Sequence, residues 1–512
     1  MKHDIKIMVL FAFLFGVSLE GMAQCFPGLP VTGAFADPLT SASPNANRVF
    51  WLTWGATYAE SQTEAYKYGK PGTRLNVGSK SYGSIDLGGG RYMCVEAEIV
   101  LLTVSGTSDA RKHINSYIPG TYQSTGDGGD FLDILYNRGG SGGTNGNPNN
   151  KMASGIINQY DLGRTVNIEI KVKATTDEEP VRLRGMVLAD AEALAASGEY
   201  IISSGDGNWT VARVQKNIGK GAYEIRKENN ISGTKSITFS KGNNKRTGAV
   251  AFLEYNNSAY DTKANGYAVK FSAEFKGVGQ TAIAFGLLTS GYDFGDAPAS
   301  YGKPIHLIDD ISFGPDGIVP SATAGNPGPT IDVNTSTYTP GELSTDVRRY
   351  LGSTPPDADI VDMFSVDAKG DDNSGTAGAD EEDAWPVMYR QFADKEYYKP
   401  GDKITATIPY KKGKVGDKIS GWIDFDLNGT FDAGERVTAT IPNAGDGNVI
   451  LEWTVPTTRV AYSTYVRLRY FGSIDDETRA TGTALHGEVE DHRIYILTPG
   501  VTNPTLPSKS KN

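Results

Sequence analysis

The sequence is poor in cysteine, histidine and uninterrupted helical stretches. Its 512 residues include two cysteines and five histidines, too few for a zinc site made of these residue types. Glycine (61) and proline (25) interrupt helices, and 26 tyrosines favour strands. Basic residues number 49 against 60 acidic ones, a net charge of −11 that argues against nucleic acid as a partner. Beyond the N-terminus, no apolar run is long enough for a transmembrane segment.

The first 23 residues have the organisation of a secretory signal peptide. Lys2 and Lys6 precede an apolar run over 7–17, which is too short to span a bilayer. The small residues around Ala23 predict cleavage after it. An N-terminal core helix is the alternative. A lipid anchor on Cys25 is disfavoured because Gln24 precedes it. We therefore expect a secreted or bacterial cell-surface protein with an N-terminal extension over 24–48.

The two cysteines are Cys25 and Cys94. In an oxidising compartment a single disulfide between them is one expectation, and two free thiols are the other.

Alternation of apolar and polar residues predicts an all-β fold. It is clean over 166–172 and 269–275, and strand-like runs return from residue 403 onward. One modest helix candidate runs from Asp190 to Ser197. Gly126 to Asn150 is rich in glycine and asparagine and is expected to form a long surface loop suited to binding.

Acidic residues are concentrated in the second half of the chain. Residues 293–500 contain 34 acidic and 18 basic residues, a net charge of −16, whereas residues 1–292 have a net charge of +3. This imbalance predicts that cations bind after residue 292.

One acidic segment has the ligand order of a calcium loop. Oxygen side chains occupy positions 1, 3, 5, 9 and 12 of the segment 424–435, glycine occupies position 6, and the residue at position 7 can give its backbone carbonyl. Runs typical of strands flank the segment, so we expect a hairpin rather than an EF-hand. The alternative is an acidic hairpin turn without metal. The candidate calcium ligands are Asp424, Asp426, Asn428, Thr430, Asp432 and Glu435.

Two further acidic groups are candidates for a second ion. One comprises Asp371 and Asp372 with Asp380, Glu381, Glu382 and Asp383, and the other comprises Glu488, Glu490 and Asp491. Dense like charges repel and would be relieved by a cation, but a solvated charged surface is the ordinary explanation.

Catalytic motifs are nearly absent, and we predict that the protein is not an enzyme. Neither a phosphate-binding Gly-Lys-Ser/Thr loop nor a His-Glu-x-x-His motif occurs. The carboxylate pair to test first for glycoside hydrolysis is Asp190 and Glu192. Trp51, Trp54 and Trp209 could stack on sugar rings, although core packing is their more common role.

The acidic half resembles the GEVED domain. Gly487 to Asp491 read Gly-Glu-Val-Glu-Asp, from which that domain takes its name. Glu382, Ala384 and His492 depart from the residues common in such domains. The resemblance covers 293–498 and implies a smaller, acidic β-sandwich domain stabilised by calcium. It also rests on 293–302, Asp371-Asp372, 380–383 and 422–426.

Residues 49–290 resemble the fibronectin-binding, non-repetitive domain of CshA-type bacterial surface adhesins. This resemblance implies a lectin-like β-sandwich that binds a host extracellular matrix glycoprotein or glycan. It rests on 51–54, 187–192, 199–201, 207–209 and 277–284.

Together these features predict a secreted or surface adhesin with two β-domains and a polar tail over 499–512. Two alternatives remain open. One is a carbohydrate-active enzyme or its carbohydrate-binding accessory module, and the other is a structural subunit of a surface fibre.

Overall fold

The computed structural model describes most of the two predicted domains. The described residues are 25–27, 29, 33–43, 45–55, 70–88, 90–105, 113–119, 132–137, 152–153, 155–158, 164–177, 179–192, 194, 198–204, 209–216, 224–229, 235–240, 249–310, 347–359, 363–370, 381–385, 400–456 and 463–495. The predicted signal peptide, most of the 126–150 loop and the polar tail lie outside these residues.

The fold is all-β, as predicted. Within the described ranges the helical segments are single short turns, at Ala46–Arg48, Leu132–Leu135, Asn257–Ala259, Lys263–Asn265, Ala299–Tyr301 and Ala433–Glu435. None of them is long and apolar enough to cross a membrane.

Seventeen strands form the N-terminal half in the described part of the chain. They are β1 (Ala34–Phe35), β2 (Val49–Trp51), β3 (Arg74–Leu75), β4 (Lys80–Gly88), β5 (Arg91–Val104), β6 (Ile114–Tyr117), β7 (Gly155–Asn158), β8 (Arg164–Thr176), β9 (Glu179–Val181), β10 (Gly185–Asp190), β11 (Tyr200–Ser204), β12 (Trp209–Lys216), β13 (Glu224–Asn229), β14 (Lys235–Ser240), β15 (Ala249–Tyr255), β16 (Val269–Gly277) and β17 (Ala282–Leu288).

These strands form two antiparallel sheets that pack face to face. The first has the order β12-β15-β10-β17-β7-β6-β3, with β2 on β17 and β1 on β2. The second has the order β13-β14-β11-β16-β8-β5-β4, with β9 on β8. Alternate residues of β8 and β16 are buried, which explains their clean apolar-polar pattern. One core joins the sheets, and Phe271 and Phe285 meet in it edge to face.

A second apolar cluster covers the outer face of the first sheet. It includes Trp51, Phe252 and Leu288, together with Leu132 and Tyr136. The expectation that 126–150 forms a surface loop throughout is therefore wrong for 132–137, since Leu132 and Tyr136 are fully buried. The helical turn Leu132–Leu135 packs its apolar side chains against the sheet.

The helix predicted from Asp190 is also wrong where the structure describes it. Asp190 is the last residue of β10 and pairs with Ile283 of β17. The next backbone N–H, from Ala191, donates to the carbonyl of Ala282. The neighbouring strand therefore takes the hydrogen bonds that a helix would need. Residues 193 and 195–197 lie outside the described residues.

Ten further strands form the C-terminal half in the described residues. They are β18 (Tyr292–Phe294), β19 (Pro304–Leu307), β20 (Tyr350–Leu351), β21 (Lys403–Gly413), β22 (Lys418–Ile423), β23 (Arg436–Thr440), β24 (Gly445–Thr454), β25 (Ser463–Phe471), β26 (Gly482–Ala484) and β27 (Val489–Tyr495).

Three small sheets result, with the orders β18-β19-β26, β20-β21-β24 and β23-β22-β25-β27. A hydrophobic core combines side chains of the second and third sheets, among them Ile408, Trp453 and Leu468. A smaller cluster containing Tyr301, Trp422 and Phe431 is separate from this core. The acidic half thus has its own sandwich core, in agreement with the predicted second β-domain.

A buried ionic group connects the two halves. Arg184, which precedes β10, and Arg349, which precedes β20, both pair with Asp309. Asp309 is fully buried, and the two arginines are 2% and 4% exposed. Arg184 also donates to the backbone carbonyls of Ile308 and Leu485, at 3.2 and 3.3 Å. The halves therefore share a desolvated contact.

A disulfide joins Cys25 to Cys94, with 5.2 Å between their Cα atoms. Cys94 lies near the start of β5, so the bridge attaches the start of the described chain to the second sheet of the N-terminal half.

Candidate metal centre

The segment 424–435, which has the ligand order of a calcium loop, connects β22 to β23. These strands pair antiparallel, so the segment is the turn of a hairpin, as its flanking sequence predicts. Leu427 and Gly429 have positive φ angles of 60° and 80°, which allows the tight turn. The segment ends in the helical turn Ala433–Glu435.

Asp424 organises the first half of the turn. Its carboxylate is fully buried. Oδ1 accepts the Leu427 N–H at 2.7 Å, and Oδ2 accepts the Gly429 N–H at 3.1 Å. The Tyr301 hydroxyl donates to Oδ2 at 2.7 Å. These bonds fix the carboxylate before any ligand arrives, which is a form of preorganisation.

Glu435 closes the second half. Its Oε1 accepts the Phe425 N–H at 2.7 Å, and its Oε2 accepts the Asp432 N–H at 3.1 Å. Asp432 and Glu435 together form a capping box around the helical turn. The side chain at position 12 is therefore folded back toward the start of the loop.

The remaining predicted ligands lie along the same turn. The amide nitrogen of Asn428 donates to Asp432 Oδ2 at 2.8 Å and contacts Asp426 Oδ2 at 3.4 Å. The hydroxyl of Thr430 donates to Asn428 Oδ1 at 2.6 Å. The six predicted residues thus form one connected group.

Three of the carboxylates converge. One oxygen each from Asp424, Asp426 and Glu435 lies within 4.8 Å of the others. Burial, with Asp424 and Asp426 nearby, raises the pKa of Glu435 to about 7. An all-oxygen donor set suits a hard cation such as calcium, which takes six to eight oxygens at about 2.3–2.6 Å. The residues therefore fit calcium in type and in position.

The second predicted metal cluster is described only in part. Asp371, Asp372 and Asp380 lie outside the described residues. Asp383 accepts the backbone N–H groups of Ser353 and Thr354 at 2.8 and 3.2 Å. Glu381 accepts the Asp357 N–H at 2.6 Å. Both carboxylates thus hold a neighbouring turn in place, and an ion at this cluster stays a prediction.

A different group of three ligands comes together beside it. Glu382, Glu490 and His492 each offer one ligand atom within 4.8 Å of the others. The sequence prediction did not combine them, because Glu382 is more than 100 residues away from the other two. The period of two in β27 does place Glu490 and His492 on one face, and that signal was available.

The residues considered for catalysis and sugar stacking are buried. Asp190 and Glu192 are 1% and 7% exposed, and the Glu192 N–H lies 3.3 Å from Asp190 Oδ1. Trp51, Trp54 and Trp209 are at most 1% exposed, so they pack in the core and do not form a stacking surface.

Comparison with known families follows the division seen in the structure. Residues 47–288 match the family described as surface adhesin CshA non-repetitive domain 2, and residues 418–495 match the GEVED domain. The chain carries a CshA-type adhesin domain followed by a GEVED domain. The GEVED match includes the calcium-like loop and β27, whereas Glu382 lies outside it.

Other comparisons add little. No curated protein is similar enough to match. The N-terminal domain of the Streptococcus gordonii adhesin Sgo0707 is 6% identical over 91% of this chain and 94% of its own, with a TM-score of 0.30. A Corynebacterium diphtheriae protein described as membrane anchored is 8% identical over 81% and 98%, with a TM-score of 0.14. Such TM-scores decide nothing about the fold.

Proposed function

We propose that this protein is a secreted or surface-exposed bacterial adhesin. Its CshA-type domain binds a host extracellular matrix glycoprotein or glycan, and its GEVED domain binds calcium. The observation that supports adhesion is the family match over residues 47–288, which covers nearly all of the two-sheet sandwich.

The contact surface of the adhesin domain is expected to be formed by loops rather than by sheet faces. The inner faces are filled by the main core, and the outer face of the first sheet is covered by a second apolar cluster. Loops at the ends of such a sandwich are free to vary without disturbing it. The glycine-rich segment over 126–150, apart from its buried turn over 132–137, is our first candidate, and that remainder lies outside the described residues.

Calcium has a structural role in this proposal. The convergence of Asp424, Asp426 and Glu435 places like charges close together, and a divalent cation between them removes that repulsion. Binding to the folded state alone then stabilises the GEVED domain. The ion orders a turn of the module and takes no part in chemistry.

An array of glycans and matrix proteins tests the function as a whole. The chain over residues 24–512 is applied with calcium and with chelator. We expect selective binding to a small set of glycans or matrix glycoproteins. Binding that weakens in chelator would show that the GEVED domain supports the contact.

Two results would contradict the adhesin proposal. Release of sugar products from bound polysaccharide would indicate an enzyme. Polymers in the purified protein, together with no binding on the array, would indicate a structural subunit.

A further inference from the structure

Strand β27 presents acidic side chains to the interior of the GEVED domain. Glu490 pairs with Leu468 of β25, and His492 pairs with Val466. Cross-strand partners project to the same side of a sheet, and both of these partners belong to the hydrophobic core. A carboxylate and an imidazole therefore face an apolar interior, and Glu488 precedes them with the same spacing of two.

A neighbouring segment brings a second carboxylate to this face. The N–H of Ala384 donates to Glu490 Oε2 at 2.8 Å. In return, the N–H of Asp491 donates to Glu382 Oε2 at 2.7 Å. The segment 381–385 is thus fastened along β27, and Glu382 reaches the same place as Glu490.

His492 completes the group. Its Nε2 lies 2.9 Å from Glu490 Oε2 and 3.8 Å from Glu382 Oε2. Its side chain is 10% exposed, so it is the member of the group that reaches the surface. One imidazole nitrogen and two carboxylates form a mixed donor set within 4.8 Å.

Two deeply buried oxygens point to a missing partner. Glu488 and Glu490 are each 1% exposed. Neither Glu488 Oε1 nor Glu490 Oε1 has a hydrogen-bond partner in the part of the chain that the structure describes. A buried carboxylate oxygen without a hydrogen-bond partner pays the full desolvation cost, so such oxygens are usually paired or bound to metal.

The buried Arg467 does not supply that partner. Arg467 lies on the opposite face of β25 and forms two bonds with Asp491, at 2.8 and 2.7 Å. Glu490 Oε2 has its side-chain contact with His492 Nε2 instead.

We propose that Glu382, Glu490 and His492 bind a divalent transition metal, with Zn²⁺ as the best match. Imidazole nitrogen with carboxylate oxygen suits zinc or manganese, whereas calcium prefers oxygen alone. A tetrahedral zinc ion would take its fourth ligand from water or from the nearby Glu488. The metal would join the segment 381–385 to β27 and relieve the buried charge. This site is separate from the calcium loop and does not depend on the adhesin function.

Metal content and spectroscopy test this site in the full chain over residues 24–512. After chelation the protein is loaded separately with Zn²⁺, Mn²⁺, Co²⁺ and Ca²⁺, dialysed, and measured by elemental analysis and melting. We expect one tightly retained zinc that raises the melting temperature. Cobalt should give the visible absorption of a low-coordinate site with nitrogen and oxygen ligands.

Matched variants assign the ligands. Glu490→Gln and His492→Gln should lose the retained zinc and the cobalt absorption, and Asp424→Ala with Asp426→Ala should keep both. His492→Gln changes a partly exposed position, so it remains informative if Glu490→Gln does not fold. Zinc retention that survives His492→Gln would overturn the proposal. So would loss of zinc in the Asp424/Asp426 variant, or stabilisation through this site by calcium alone.

Discussion

At the scale of single residues, Tyr301 is the link between the start of the acidic half and the calcium loop. Its hydroxyl donates to Asp424 Oδ2 at 2.7 Å, and its ring packs on Phe431 with 4.6 Å between centroids. Burial and the neighbouring carboxylate raise the pKa of Tyr301 far above its usual range. The residue therefore stays protonated and acts as a donor that orients Asp424.

Tyr301→Phe keeps the ring and removes the donor. A hydrogen bond to a charged group contributes roughly 1.5–3 kcal/mol, so we expect the free energy of unfolding to fall by about that amount. Calcium should also bind more weakly, because Asp424 loses a bond that holds it in place. Denaturant unfolding with and without calcium measures both effects.

Tyr465→Phe is the matched control. The Tyr465 ring lies 5.0 Å from the Tyr301 ring, and its hydroxyl donates to the carbonyl of Val366. Equal calcium responses in the two variants would contradict the orienting role of Tyr301.

Residue spacing predicts the calcium-binding loop but not the distant residue that orients it. The six candidate ligands are close in the chain, so ligand order alone places them in one turn. Tyr301 is 123 residues from Asp424, and only the fold brings them together. Glu382 and His492 are likewise far apart in the sequence, so spacing alone could not predict that they lie close together.

At the scale of elements, β19 carries a histidine that must stay neutral. Arg469 donates through Nε to His306 Nε2 at 2.8 Å, and His306 Nδ1 lies 2.7 Å from the carbonyl of His486. The imidazole thus accepts on one side and donates on the other. Burial, together with the charges of Arg469 and Arg467, holds the pKa of His306 well below its ordinary value.

This arrangement predicts acid sensitivity. Below about pH 6.5 the unfolded chain binds a proton at residue 306 that the folded chain does not, so stability is lost as the pH falls. His306→Asn removes the titrating group and should flatten this dependence. Burial also lowers the pKa of His486, so part of the slope should remain in the variant. Urea unfolding from about pH 5 to about pH 8 measures the dependence. Parallel plots of unfolding free energy against pH for the wild type and the variant would contradict the role of His306.

Strands are predicted correctly from the sequence where one face of the strand is exposed to solvent. The clean alternation over 166–172 and 269–275 predicts parts of β8 and β16, whose burial alternates. Strand β10 is buried at every residue, so its sequence has no period of two, and the predicted helix is wrong at Asp190, where this strand ends. Burial on both faces removes the signal on which the prediction depends.

At the scale of the whole molecule, the buried group around Asp309 couples the two halves. Asp309→Asn would leave Arg184 and Arg349 buried without their counter-charge, which typically costs about 3–5 kcal/mol. We expect calorimetry to show a lower melting temperature and separate transitions for the two halves.

Asp446→Asn provides the comparison. Asp446 pairs with Lys411 at an exposed position, and its loss should leave the unfolding profile nearly unchanged. Similar profiles for the two variants would contradict the coupling.

The net charge of −11 is unevenly distributed between the two halves of the molecule. The near-neutral half matches the CshA-type adhesin domain, and the half with a net charge of −16 contains both candidate metal sites. We therefore expect cations, and calcium first of all, to stabilise the acidic half.

Melting curves in calcium and in chelator test that claim most directly. The wild-type chain and the variant Asp424→Ala with Asp426→Ala are compared over residues 24–512. Calcium should raise the melting temperature of the wild type and leave the variant unchanged. A wild-type curve that is the same in calcium and in chelator would contradict the account.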